Sequence, residues 1–243
     1  MKALAYRVLG GVSRRLDRPE LMSAFYGHVR QAEHEEIGIE AALVASLAAD
    51  AVYVDVGSNR GQVLAHAVRI APRGRHVAFE PIPALADELA GRFPTVDRRA
   101  KALGESAGKA TFCHFQELDG WSGLRRNPEI SDARGKPEYI EVEVSTLDIE
   151  MSALEPAVVK IDVEGAELEV LRGGRETLAR VRPLLILEHV PSTAAVYGTS
   201  SAELWELLGE SGYEVFTATG SGPVGADRLA EHAHVVNWIA RPR

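Results

Sequence analysis

Two short strings limit what this chain can fold into: Asp55-Val56-Gly57-Ser58-Asn59-Arg60-Gly61 and Lys160-Ile161-Asp162-Val163-Glu164-Gly165-Ala166-Glu167. Each follows a short apolar run, residues 51–54 and 157–159, and each opens a helical pattern. That is the layout of two βα turns in a parallel α/β sheet, where ligands gather beyond the carboxyl ends of the strands. The first string reads as a cofactor loop, the second as the floor of a reaction site.

The rest of the chain supports this class. Alternating apolar runs predict strands at 51–56, 75–80, 96–103, 157–161, 184–187, 213–218 and 234–240. Helical spacing predicts helices at 62–70, 84–93, 166–180 and 202–211. Such alternation implies a mostly parallel sheet with helices on both faces. Residues 109–146 break the rhythm. Their β-rich runs 110–115 and 139–145 read as a hairpin-like insertion carrying a loop. Residues 1–48 form an N-terminal helical segment ahead of the α/β domain at 49–243, with a helix expected at 33–48. Within it, Leu4, Val8, Val12 and Leu16 share a helix face beside Lys2, Arg7, Arg14, Arg15 and Arg18. The reading taken is a solvated helix covering the domain, with contact to an anionic membrane as the alternative.

Charge and cysteine usage narrow the setting. A formal net charge of −8 argues against a general nucleic-acid binder, which would carry a basic surface. Cys113 is the only cysteine, so no intrachain disulfide forms and a cytoplasmic location is expected. No apolar run approaches the roughly 20 residues of a membrane helix, and no signal-peptide core stands out.

In the first string, Gly57 and Gly61 bracket a tight turn where the backbone can take positive φ and approach a ligand. The dinucleotide fingerprint has a second glycine where this chain has Ser58, which leaves less room for a pyrophosphate. Glu80 closes the next strand, placed to accept from both hydroxyls of a ribose. Asp55 offers a carboxylate to a cationic group. A nucleoside with an amino-acid tail and no phosphate fits these parts, as in S-adenosylmethionine; a ligand-free turn is the alternative.

Asp55 to Gly61, Phe79-Glu80-Pro81, Ala102-Leu103-Gly104, Ser145-Thr146-Leu147-Asp148, Lys160 to Glu167 and Leu187-Glu188-His189 follow one another in this order. In these motifs, over residues 50–217, the chain resembles the FkbM family of S-adenosylmethionine-dependent methyltransferases. The resemblance implies the class I methyltransferase fold, Rossmann-like with a seven-stranded sheet, and O-methylation of sugars or other natural-product hydroxyls. It also implies that Asp55, Gly57, Asn59 and Gly61 hold the methionine portion of the cofactor, with Ser58 of the same loop counted among the cofactor-binding residues. Glu80 and Pro81 would hold the ribose, and the backbone of Ala102, Leu103 and Gly104 would flank the adenine. Ser58 stands where the family often has alanine, and Ile82 where a polar residue is frequent.

Methyl transfer to an alcohol needs an aligned nucleophile and removal of its proton, by a base or by a metal that lowers its pKa. Asp162, Glu164, Glu188 and His189 stand at the ends of two strands and are the catalytic candidates. His189 is a candidate base because imidazole titrates near neutrality. Asp162 with Glu188 could instead hold Mg²⁺, an arrangement without a clear third ligand, so no metal is expected. Glu167 reads as a helix-start acid and Lys160 as the partner of a nearby acid. Trp121-Ser122-Gly123-Leu124 of the insertion could line an acceptor pocket. His232 and His234 lack nearby acids and are not expected to bind metal.

These readings converge on a methyltransferase moving a methyl group from S-adenosylmethionine to a hydroxyl of a small molecule, the expected partner being a sugar or glycosylated natural product. The alternatives are an NAD-dependent oxidoreductase and a catalytically silent nucleoside-binding module. The oligomeric state is left open.

Overall fold

The computed structural model describes residues 19–127, 130 and 136–243, so the basic stretch at 2–18 lies outside the described residues. Helix α1 (Pro19–Ser46) precedes strand β1 (Val52–Val56), helix α2 (Gln62–Ile70), strand β2 (Val77–Phe79), helix α3 (Pro83–Arg92) and strand β3 (Asp97–Arg99). Strands β4 (Ala102–Leu103), β5 (Gly108–His114) and β6 (Glu138–Ser145) follow, then helix α4 (Leu147–Glu150) and strand β7 (Pro156–Ile161). Helices α5 (Glu167–Arg172) and α6 (Arg175–Val181) lead to strand β8 (Leu184–Glu188). Helices α7 (Pro191–Val196) and α8 (Ser201–Glu210) and strands β9 (Tyr213–Thr217) and β10 (Asn237–Pro242) complete the order.

The main sheet has seven strands in the order β3-β2-β1-β7-β8-β10-β9. All pairs from β3 to β8 are parallel, and β10 runs antiparallel to both its neighbours. The order reverses between β1 and β7. The crevice beyond the carboxyl ends of those two strands is therefore the topological switch point, where ligands bind in open α/β sheets.

The side chains of the central strands alternate between two cores. Val54, Val56, Val159, Ile161, Leu185 and Leu187 pack with Leu168, Leu171, Leu178, Leu204 and Trp205 from helices α5, α6 and α8. Tyr53, Val158 and Ile186 pack on the other face with Leu43 of α1, Leu47 just past its end, and Leu64 and Ala67 of α2. Helix α1 thus shares a core with the sheet. Its buried Glu35 accepts the backbone N–H of Val236 (3.4 Å) and Asn237 (3.2 Å) and the Asn237 side-chain amide (2.7 Å). No helix among the described residues is long and apolar enough to cross a membrane.

Two elements differ from the sequence expectation. The run at 96–103 is not one strand: Lys101 N–H bonds back to Arg99 O, which turns the chain. Strand β3 stays in the main sheet, while β4 joins β6 and β5 in a separate three-stranded sheet. Its strands β5 and β6, antiparallel to each other, are the expected insertion. The helix expected at 166–180 is two helices broken at Gly173-Gly174. A Cβ at Gly173 would lie 2.1 Å from Gly104 O, and one at Gly174 2.7 Å from Leu147 Cδ2, so the break lets the insertion and α4 approach closely.

Candidate functional site

The cofactor loop is built by backbone. Gly57 and Ser58 N–H both donate to Phe79 O at 3.0 Å, and the Ser58 hydroxyl donates to Asp55 O at 3.0 Å. Asn59 takes the left-handed conformation (φ 48°), for which asparagine is well suited, and aims its N–H at Glu80 Oε2, 2.8 Å away. Ile82 N–H donates to Glu80 Oε1 at 2.9 Å. Glu80 is 4% exposed, and this burial pushes its pKa from 4.5 up to about 7 against those two N–H donors. Each of its oxygens retains a lone pair, so the carboxylate has room for further donors of the kind a ribose diol supplies.

Both glycines are required by the protein's own packing. Gly57 has φ 77°, and a Cβ there would fall 1.8 Å from Asp162 O; one at Gly61 would fall 2.6 Å from the Phe93 ring. The sequence reading left that space to an approaching ligand, whereas Asp162 just past β7 and Leu89 and Phe93 at the end of α3 fill it. Gly57→Ala is therefore expected to destabilise the fold by about 2–4 kcal/mol, from left-handed strain plus overpacking. Gly91→Ala, with nothing within 4 Å of the added carbon, should be neutral or mildly stabilising. Thermal unfolding of the pair checks this: equal melting temperatures would refute the packing account.

Pro81 leads into Ile82, which is buried with Leu85, Ala102, Phe112 and Val142. An apolar residue at this position therefore serves as the seat of the insertion sheet. The same cluster holds Ala102 beside the Glu80 turn. Leu103 is buried, and Gly104 N–H is taken by Ser145 O at 3.0 Å.

The second string supplies the floor. Registers Asp55↔Lys160 and Lys160↔Ile186, carried past the strand ends, put Asp162 beside Glu188. Lys160, 7% exposed, stands between Asp55 Oδ1 (3.4 Å) and Asp162 Oδ2 (3.1 Å). Burial works against the Lys160 charge, but Asp162, Asp55 and Glu188 outweigh it and raise its pKa. Asp55 is 1% exposed, and its burial raises its own pKa despite that lysine. Past the strand, Glu164 (φ 55°) and Gly165 (φ 107°) turn the chain back. One carboxylate oxygen each of Asp162, Glu164 and Glu188 then lies within 4.8 Å of the others. The third acid that the metal reading lacked is Glu164.

His189 is not brought to that cluster. It follows Leu185 and Leu187 onto the opposite face, its ring 5.9 Å from that of Trp205. Its Nδ1 lies 3.4 Å from Glu167 Oε2 and its Nε2 2.8 Å from Ser201 Oγ. Glu167 is 1% exposed and not a solvated helix-start acid; its Oε1 accepts Gly165 N–H at 2.9 Å. The buried chain Ser201–His189–Glu167–Gly165 thus braces the turn that carries Glu164.

The insertion crosses both strings. Asp119, 7% exposed, accepts from Arg60 Nη2 (2.8 Å) and faces His114 Nε2 (3.2 Å). Arg60 also pairs with Glu88. Farther along, a Cβ at Gly123 would lie 3.1 Å from Tyr197 Oη and 3.7 Å from Glu164 Cβ. Trp121 packs against Cys113, Phe115 and Ile130, so its ring serves the insertion's own core. His232 and His234 rings lie 6.5 Å apart. Sequence reasoning did not find Ser201, Asp119 or Tyr197, none of which sits inside a motif, and it gave Glu167 no role beyond that of a helix-start acid.

The model of the methyltransferase FkbM domain matches residues 55–215. AmbE, an antimetabolite synthetase of Pseudomonas aeruginosa, is 29% identical over 220 residues, 74% of this chain and 10% of AmbE. The methyltransferase sdnD of Sordaria araneosa is 30% identical over 162 residues, 54% of this chain and 62% of sdnD. The 2-O-methyltransferase NoeI of Sinorhizobium fredii is 30% identical over 153 residues, 55% of this chain and 61% of NoeI. The chain thus spans less than two thirds of the length of each. A domain match that begins at Asp55, ends in β9 and contains both βα turns places this chain in the FkbM family of S-adenosylmethionine-dependent methyltransferases.

Proposed function

We propose that the protein transfers a methyl group to a hydroxyl oxygen of a small molecule, a sugar or a glycosylated natural product. The observation that carries this reading is the carboxylate cluster Asp162, Glu164 and Glu188 at the switch point, adjoining the cofactor loop. NoeI is named for 2-O-methylation, which agrees with an oxygen nucleophile. The single, buried Cys113 suits a cytoplasmic setting.

The cofactor supplies an electrophilic methyl group on a sulfonium. The cofactor residues are Asp55, Gly57, Ser58, Asn59 and Gly61 on the methionine side, Glu80 and Pro81 at the ribose, and Ala102 to Gly104 beside the adenine. The buried Glu80 carboxylate fits that role, since ribose hydroxyls would supply the donors that its burial denies it. The floor carboxylates orient the acceptor hydroxyl and take its proton. Three carboxylates crowded together repel one another, so a proton arriving from the acceptor relieves that repulsion. His189, with Glu167, holds the turn in place.

A second reading shares the same cluster: with Glu164 present, three carboxylates could hold a divalent cation that acidifies the acceptor. Methyl transfer from tritiated S-adenosylmethionine to a panel of glycosides tests the activity. Calorimetry with S-adenosylhomocysteine tests the cofactor site.

The Glu80 pKa gives that calorimetry a signature. In the unfolded chain Glu80 ionises above 4.5, whereas in the fold it keeps its proton to about 7. Stability therefore falls as pH rises from 4.5 to 7, by about 3 kcal/mol in all. A ligand that donates to the carboxylate reverses the shift and expels the proton. At pH 6, S-adenosylhomocysteine binding is expected to release about one proton, read from buffers of different ionisation enthalpy. Release that persists in Glu80→Gln would show that another group titrates.

A further inference from the structure

We infer that the acceptor carries an anionic group, a carboxylate or a phosphate, which Arg125 and Tyr197 grip at the rim while its hydroxyl faces the carboxylate floor. This rests on the proposed methyltransferase site and names its substrate class.

The insertion reaches the site at Gly123, where an added Cβ would lie 3.7 Å from Glu164 Cβ, and Arg125 follows two residues later. Tyr197, which ends α7, is 9% exposed, and its Oη accepts the Arg125 backbone N–H at 3.0 Å. That bond uses a lone pair of the phenol and leaves the phenolic proton to be donated. Burial raises the Tyr197 pKa, so the phenol stays a neutral donor. The Arg125 guanidinium lies over the same ring, 5.5 Å from its centroid. Among the described residues it makes no hydrogen bond or ion pair of its own, although Glu169 feels its charge. Cation–π stacking and the pinned backbone hold the fork in place at low entropic cost.

The surroundings sharpen the choice of ligand. Glu164 is close by, and Asp162 and Glu188 lie within 4.8 Å of it, so the floor is strongly negative. An anionic group is repelled from that floor and drawn to a guanidinium, which pairs with carboxylate or phosphate through two parallel bonds. The two fields together orient the molecule: charge at the rim, hydroxyl at the floor.

The test uses the full chain saturated with S-adenosylhomocysteine and three probes: methyl β-D-glucuronide, glucose 6-phosphate and methyl β-D-glucoside. Affinities come from saturation-transfer NMR titration. At least one anionic probe should bind about tenfold more tightly than the neutral glucoside, the difference expected of a partly exposed charge-assisted pair. Glucuronide against phosphate decides which anion is preferred. In Arg125→Gln, which keeps the backbone N–H to Tyr197, the preference should vanish while S-adenosylhomocysteine affinity stays. Arg125→Lys should restore part of it. Equal binding of charged and neutral probes, no binding of either anion, or a preference that survives Arg125→Gln overturns the proposal. Loss of S-adenosylhomocysteine binding by the unmodified protein would overturn the cofactor reading beneath it instead.

Discussion

Lys160→Met is expected to lower stability by about 3–5 kcal/mol, the cost of leaving a buried charge without its partner. Lys160 is 7% exposed and lies between Asp55, 1% exposed, and Asp162. Without the ammonium, Asp55 must either keep a charge in an apolar interior or take up a proton. Its burial already raises its pKa, so the proton is the cheaper outcome, and it is available at low pH. The deficit should therefore grow as pH rises. For a group whose folded pKa is raised, stability is lost as pH climbs past the unfolded value. In a chain of this size the loss corresponds to roughly 6–20 °C in melting temperature. The double variant Asp55→Asn/Lys160→Met should recover most of it, because both partners have gone together. A single variant that melts like the unmodified protein would show that Lys160 does not neutralise this pair.

How much of this was legible in the sequence depends on which physical rule each feature obeys. The strands and the two βα turns follow from local apolar runs and from Gly57 and Gly61, all sequence-local, and they emerged within a few residues of their observed bounds, whereas the strand order that makes the switch point came only with the structure. Strand alternation also held the key to the floor. Asp55, Lys160 and Glu188 share a parity with Tyr53, Val158 and Ile186, while His189 shares that of Leu185 and Leu187. That parity separates His189 from Glu188, so His189 does not join the other catalytic candidates at the cluster. Glu164 was a catalytic candidate from its place in the second string, but its meeting with Asp162 and Glu188 was not legible, because it reaches the cluster through the left-handed turn at Glu164-Gly165. Glu167 does start a helix as expected, but its burial against His189 was hidden, because that partner comes from the end of β8, far away in sequence. The split of the 96–103 run was hidden too, since whether residues 102–103 join one sheet or another depends on β6, some forty positions on.

Asp162→Asn is expected to lower turnover by about 10²–10⁴-fold, the range for loss of a general base. S-adenosylhomocysteine affinity should be nearly unchanged, because the loss falls on the acceptor's proton. Glu188→Gln should fall in the same range, since a neutral amide in either place removes part of the repulsion that makes the cluster proton-hungry. His189→Gln should behave otherwise. It disturbs the contacts to Glu167 and Ser201, so its main effect should be on melting temperature, with turnover falling only as far as the Glu164 turn shifts. A turnover loss for His189→Gln as large as that for Asp162→Asn, with stability intact, would return the base to the imidazole. The same repulsion that favours a proton also favours a divalent cation, so the single variants cannot separate the two chemistries. A chelator can. With carboxylates as the base, extensive chelation leaves turnover unchanged and added Mg²⁺ does not raise it. With a cation in the cluster, chelation reproduces the Asp162→Asn defect, Mg²⁺ reverses it, and the variant itself no longer responds to either.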